Sequence, residues 1–297
     1  MVKAVFTTKI EPTYDDLPEV RYHFPRTYLN SVEQSVGDWI LYYEPRRSSG
    51  SLSSRGGRQS YFATAKIDRI ERDLIREDHF YAYVVDYLDF YNPVSFSNYY
   101  EKKTRKEDGS TNKGTFGRAV RNLPDHDYDV IISAGFSQAL ELTPPKPTVV
   151  IQAGLSEPAT TFERPMVESI VNRPFRDRAF RHSICEVYGS TCAMTGVKIV
   201  TEDNKVEVEA AHIRPVSDLG PDSIRNGLAL TRTAHWMFDK GIISAEDDGT
   251  ILLARDHIPK KINDILNPDG HLLLPERADF KPHPKFLHYH RENIFVG

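Results

Sequence analysis

Glu209-Ala-Ala-His212-Ile-Arg-Pro215, Asn226-Gly-Leu-Ala-Leu230 and His235-Trp-Met-Phe-Asp239-Lys-Gly241 follow one another along a single stretch of the chain. His212 is framed by short apolar residues, as a strand frames a side chain. His235 and Asp239 are four apart, a spacing that puts both on one face of a helix. An imidazole and a carboxylate stacked in that way can hold one divalent cation. Taken alone, a His-x-x-x-Asp pair reads as well as a packed imidazole beside a solvated charge. The ordered neighbours on either side move the reading toward chemistry.

Working outward, the chain has 297 residues, 39% hydrophobic and 27% charged, with a mean hydropathy of -0.48. That is room for two ordinary domains, each with its own core. The segment Met1 to Pro12 lacks a continuous apolar run, and no later segment approaches the roughly 18 apolar residues that span a bilayer, so a cytoplasmic protein is expected. The only cysteines are Cys185 and Cys192, too few for a disulfide framework or a four-cysteine zinc knuckle, and they are expected to be buried thiols. The formal charge of -4 argues against indiscriminate phosphate binding, but charge is unevenly distributed. Between Glu101 and Arg121, seven basic residues (Lys102, Lys103, Arg105, Lys106, Lys113, Arg118, Arg121) face three acidic ones (Glu101, Glu107, Asp108). A second basic run holds Arg173, Arg176, Arg178 and Arg181 against Asp177. Each run reads either as a solvated face or as a phosphate contact.

The first half alternates aromatic and β-branched residues: Gly37 to Glu44, Tyr61 to Ile70 and His79 to Tyr87 are expected strands of a small, mostly antiparallel sheet or barrel. Arg46 to Arg58, rich in Gly, Ser and Arg, cannot build a core and is expected to be a loop that closes over a ligand. After a polar insertion from Lys102 to Gly117, Asp127 to Phe136 reads as a short amphipathic helix. The proline-rich stretch beyond Glu141 marks a linker, residues 143–164, between domains 1–142 and 165–297. Arg176 to Tyr188 is an expected helix ended near Gly189.

Together with Cys192-Ala-Met-Thr-Gly196, the three motifs resemble the HNH endonuclease family. The resemblance implies a ββα-metal unit, in which a β-hairpin and a helix grip one catalytic cation, and an overall α+β chain. It implies that His212 is the general base, that Asn226 orients the His212 ring or its backbone, and that His235 ligates the cation, Mg2+ or Mn2+, with Asp239 as second ligand. This chain departs from many relatives in one place: Ala211 stands where they carry an Asp or His ligand. Three shells remain open: His235, Asp239, water and the scissile phosphate; an acidic residue from elsewhere; or His212 itself on the metal. Arg214, two residues past the base, is a candidate phosphate clamp. His257, His271, His283, His288 and His290 are expected to be mainly structural or exposed.

The Gly37-Asp-Trp39 opening and the strand pattern after it resemble PUA-like domains, a superfamily that includes modified-base readers. Such a reader needs an aromatic wall and a polar edge contact to offset the unstacking of a flipped base. Trp39, Tyr43, Tyr61 and Tyr83 are the candidate walls, and Asp86 and Asn98 the edge contacts; Arg46, Arg47, Arg55 and Arg58 would grip the backbone. The combined expectation is a metal-dependent endonuclease acting on double-stranded DNA that carries a modified base, a cytosine first, as in restriction or phage defence. A homodimer is expected, because double-strand cutting by a one-site chain calls for two protomers. The competing readings are an HNH nuclease directed by ordinary sequence or structure, and a non-catalytic reader with a degenerate HNH unit.

Overall fold

The computed structural model describes residues 2–8, 15–45, 59–98, 100–104, 106–108, 110–137, 172–254 and 259–297. The chain divides into two compact units, Met1–Arg176 and Asp177–Gly297. The expected linker, the Arg46 to Arg58 loop and His257 lie outside the described residues.

In the first unit, β1 (Ala4–Thr7), β2 (Arg21–Pro25), β3 (Trp39–Glu44), β4 (Ser60–Arg72), β5 (His79–Ser95) and β6 (Val120–Asn122) make one sheet in the order β2-β5-β4-β3-β1-β6. Only β1 and β3 run parallel; the other neighbours are antiparallel. With β2 and β6 at its two ends the sheet is an open, curled half-barrel. The curl has a local cause. Register shifts interrupt the β3-β4 and β4-β5 pairings, and each extra residue bends its strand and increases its twist. β3 is buried along its whole length, as expected for a strand near the middle of the sheet. Phe6, Tyr22, Phe24, Ile40, Tyr42, Ile67 and Val84 form the apolar core. The helix expected near Asp127 runs Asp125–Gly135, and its buried Tyr128 shares a 2.9 Å hydrogen bond with Thr64 of β4.

One buried ion pair ties the polar insertion to this sheet. Arg121 of β6 donates to both carboxylate oxygens of Glu101, at 2.7 and 2.9 Å, while Tyr61 donates to the same carboxylate at 2.7 Å. Both side chains of the pair are 2% exposed. Arg121 thus leaves the set of basic residues that a phosphate can reach. Arg176 leaves the second set, being buried and paired with Asp86.

In the second unit, α4 (Arg173–Val187, from Asp177 onward), the hairpin β7 (Glu209–His212) and β8 (Gly227–Leu230), and α5 (Arg232–Asp239) precede a small β9 (Ile243–Ala245) and β10 (Ile251–Leu253) ladder and α6 (Pro284–Asn293). Gly227 is required by close packing: a Cβ there would meet Ile184 Cδ1 at 2.4 Å and Phe180 Cζ at 2.8 Å on α4. Both cysteines are buried free thiols, as expected. His290 of α6 is buried against α5 and β9. Its ring stacks on Phe238 at 3.7 Å, Nε2 donates to the Phe238 carbonyl at 3.1 Å and Nδ1 pairs with the Ser244 hydroxyl at 2.9 Å. No helix among the described residues is long and apolar enough to cross a membrane.

Burial lowers the His290 imidazole to about 4, against an ordinary 6.5, and His283 moves the same way for the same reason. The unfolded chain therefore takes up these protons first as pH drops. The second unit should hold its full stability above about pH 6.5 and lose it toward pH 4, by about 3 kcal/mol for His290. Burial moves Asp16 of the first unit up to about 6, so that carboxyl contributes with the opposite sign over the same interval. Urea unfolding midpoints measured from pH 7 to pH 4 check this; a second-unit transition insensitive to pH would contradict it.

Candidate nuclease site

The site is built on the β7-β8 hairpin and α5. Hairpin register sets Ala211 opposite Leu228 and His212 opposite Gly227, so His212 ends its strand where the chain returns. Thr231 caps α5 by accepting from Ala234 N at 3.4 Å, and the helix then carries His235 and Asp239 one turn apart.

Asn226 is fully buried and closes the loop between the strands. Its Oδ1 accepts from Arg214 N at 2.9 Å, and its Nδ2 donates to the carbonyls of Arg214 at 3.0 Å and Pro221 at 2.9 Å. These three bonds all go to backbone groups. Gly220 belongs to the same closure, because a Cβ there would stand 1.8 Å from the Arg214 carbonyl oxygen.

His212 is held on two sides. Its ring stacks on Phe180 at 3.9 Å, nearly parallel, and Nε2 lies 2.9 Å from Asp222 Oδ1. Asp222 is 3% exposed at its side chain, and an ionised carboxylate only accepts, so the ring proton belongs on Nε2 and Nδ1 keeps the basic lone pair. Asp222 was not singled out by sequence. Its position ten residues after the histidine, in an irregular loop, follows no spacing rule.

Glu209 stands in its motif without an assigned role. It lies two before Ala211 and therefore on the same strand face, and its Oε2 accepts from His235 Nδ1 at 3.1 Å. The Glu209 carboxyl is raised by partial burial but held below the usual range overall by the hydrogen bond from His235 and by the charges of His235 and Arg232. With Nδ1 engaged, His235 turns Nε2 toward Asp239, 3.5 Å away. Two ligands each about 2.1 Å from one ion and roughly at right angles stand about 3 Å apart, so this pair suits a single cation. Glu209 would then orient the ligand, as a carboxylate behind a metal-bound histidine does. Among the described residues no group of three or more His, Cys, Asp or Glu side chains is arranged to hold a metal ion.

Arg214 donates Nε to the Asp218 carbonyl at 2.7 Å and sets its guanidinium over Tyr289 at 4.8 Å. Trp236, beside His235, is exposed. In the first unit Trp39, Tyr43 and Tyr61 are buried in the sheet, Tyr61 bonded to Glu101 and Tyr43 packed against Phe96 and Phe116. Tyr83 is half-buried under the Arg69 guanidinium at 4.2 Å. Asp86 has a positive φ of 55° and pairs with Arg176; Asn98 is exposed in the turn after β5.

Replacing Asn226 with Ala would strand three buried backbone groups. The expected cost is about 3 kcal/mol of second-unit stability, with the His212 loop displaced. Thermal unfolding of the variant checks it, and an unchanged midpoint would show that the clamp is dispensable.

No curated protein matches this chain. Among solved structures, the modification-dependent TagI restriction endonuclease is similar over 99% of this chain and 81% of its own, at 15% identity and a TM-score of 0.33. The N-terminal domain of Staphylothermus marinus McrB covers 44% of this chain and 93% of itself, at 14% identity and a TM-score of 0.31. The Type IV phosphorothioation-dependent restriction endonuclease ScoMcrA covers 78% and 46%, at 14% identity and a TM-score of 0.21. Residues 192–245, which run from Cys192 through the hairpin and α5 to the end of β9, match the family model described as HNH endonuclease, and the second unit accordingly carries an HNH endonuclease motif.

Proposed function

We propose that this chain is a metal-dependent DNA endonuclease of restriction or phage-defence type, in which the first unit reads a modified base, a cytosine first, and the second cuts. The observation that carries the nuclease reading is the pairing of each motif histidine with its own carboxylate, His212 with Asp222 and His235 with Glu209, inside the matched segment. The modified-base reading rests on the resemblance of the first unit to PUA-like readers.

Hydrolysis of a phosphodiester needs a base for the attacking water, positive charge for the phosphate and help for the departing oxygen. His212 serves as the base. Asp222 fixes the tautomer that leaves Nδ1 to accept a proton, and it stabilises the imidazolium once the proton has arrived. Phe180 keeps the ring from turning. His235 and Asp239 would hold Mg2+ or Mn2+, with water and the scissile phosphate completing the shell; when bound, the cation supplies the positive charge that the developing phosphorane requires. Arg214 is the proposed phosphate clamp. Two protomers would cut the two strands.

Three measurements test this reading. His212→Ala should reduce DNA cleavage by about 10²–10⁴-fold while leaving DNA affinity intact. Asp222→Asn should reduce it about tenfold, since an amide no longer enforces the tautomer. A panel of otherwise identical duplexes carrying cytosine, methylcytosine, hydroxymethylcytosine or glucosylated hydroxymethylcytosine should be cut selectively with Mg2+ or Mn2+. Equal cutting of all four would replace modification dependence with ordinary targeting, and cutting of none would remove the nuclease reading.

A further inference from the structure

Two residues past His212, both the backbone and the side chain of Arg214 are held in place. Burial alternates along Ala211, His212, Ile213 and Arg214: Ala211 and Ile213 are fully buried and the other two half-buried, so His212 and Arg214 share the open side of this segment. The Arg214 N donates to Asn226 Oδ1 at 2.9 Å, and its carbonyl accepts from Asn226 Nδ2 at 3.0 Å.

The side chain is held by a closed circuit. Pro215 leads into a single 3-10 turn, Val216–Asp218, which Leu219 closes in the left-handed region at a φ of 62°. The Asp218 carbonyl at the end of that turn accepts from Arg214 Nε at 2.7 Å. One face of the guanidinium lies 4.8 Å from the centroid of the Tyr289 ring, within the range of a cation–π contact. The Tyr289 hydroxyl in turn donates to Asp218 Oδ2 at 2.9 Å, and this bond raises the phenol above its ordinary value, so it stays a donor. Tyr289 is itself fixed, because its neighbour His290 is bonded to the Phe238 carbonyl and the Ser244 hydroxyl and pins α6.

This circuit uses only Nε of the guanidinium. Among the described residues Nη1 and Nη2 have neither a hydrogen-bond partner nor an ion pair, so the planar end of the fork is left to a ligand. Net charge does not select that ligand, since Arg214 and Arg225 are balanced by Asp218 and Asp222 within the same loop. The selection is geometric. Two donors in a fixed fork, on the same side of the chain as the proposed general base, suit the oxygens of the phosphate that the activated water attacks.

We propose that Tyr289 is a positioning residue of the nuclease site, holding the Arg214 fork on the scissile phosphate through its ring face and its bond to Asp218. The proposal rests on the reading of the second unit as a nuclease with His212 as base. A phosphodiester carries one negative charge and its pentacovalent transition state two, so a guanidinium that needs no reorientation acts mainly at the transition state. Freed from Tyr289, the same guanidinium still meets DNA but loses its aim.

The test uses the full chain, the preferred duplex of the panel and Mg2+ or Mn2+, with urea unfolding to show that each variant is folded. Arg214→Ala should lower kcat about 10²-fold while KM changes less than about threefold. Tyr289→Ala should lower kcat about tenfold, and Tyr289→Phe, which keeps the ring, should stay within about threefold of wild type. In the Arg214→Ala background, Tyr289→Ala should have no further effect on kcat. Should Tyr289→Ala not fold, Asp218→Ala removes an exposed carboxylate, keeps the carbonyl that Arg214 uses and releases the phenol; it should lower kcat about threefold, and only while Arg214 is present. Losses that multiply in the double variant, or an Arg214→Ala or Tyr289→Ala protein that cuts as wild type does, would overturn the positioning role while leaving the nuclease reading intact. So would variants that lower the unfolding midpoint with kcat unchanged, which would make the circuit a loop latch alone. A wild-type protein that cuts no duplex would remove the nuclease reading, and this role with it.

Discussion

The buried amide of Asn226 is the constraint on which the second unit's hairpin depends. Its three hydrogen bonds all go to backbone groups, at Arg214 and Pro221, so it fixes the path of the chain rather than any one side chain. That path delivers Asp222 to His212 on one side of the loop and starts β8 on the other. Because an amide both donates and accepts, Asn can close this loop where an aspartate or an apolar residue would leave a buried group unpaired. Gly220 and Gly227 follow from the same closure, since the loop and the α4 contact leave no room for a Cβ at either position.

Two histidines on one small hairpin-helix unit are given different surroundings by their partners. His212 lies between a stacked ring and a buried carboxylate, an arrangement that restricts rotation. His235 lies between Glu209 and Asp239 in a more exposed setting. Glu209, two residues before Ala211 on the same strand face, bonds to His235 Nδ1.

Much of this was legible in the sequence, for identifiable reasons. The spacing of His235 and Asp239 depends only on helix periodicity, and the strand character of Glu209 to His212 on short-range apolar framing, so local rules found both. The order of strands in the first sheet does not follow from local rules; β1 beside β3 and β6 is a long-range choice. Asp222 was hidden for the same reason, as its partnership depends on how an irregular loop closes. The aromatic residues of β3 and β4 were candidates for a base wall, yet Tyr43 and Tyr61 are enclosed by Phe96, Phe116 and the Glu101-Arg121 pair, which strand patterning could not anticipate.

The anchoring of α5 by His290 also bears on the order in which the unit folds. The hairpin that carries His212 pairs residues 15 to 21 positions apart, whereas the hydrogen bonds of His290 to Phe238 and Ser244 span 52 and 46 positions. Contacts of long sequence separation carry the larger loop-closure entropy and form later. The hairpin with His212 can thus be assembled while the far end of the helix that bears His235 and Asp239 still lacks its anchor.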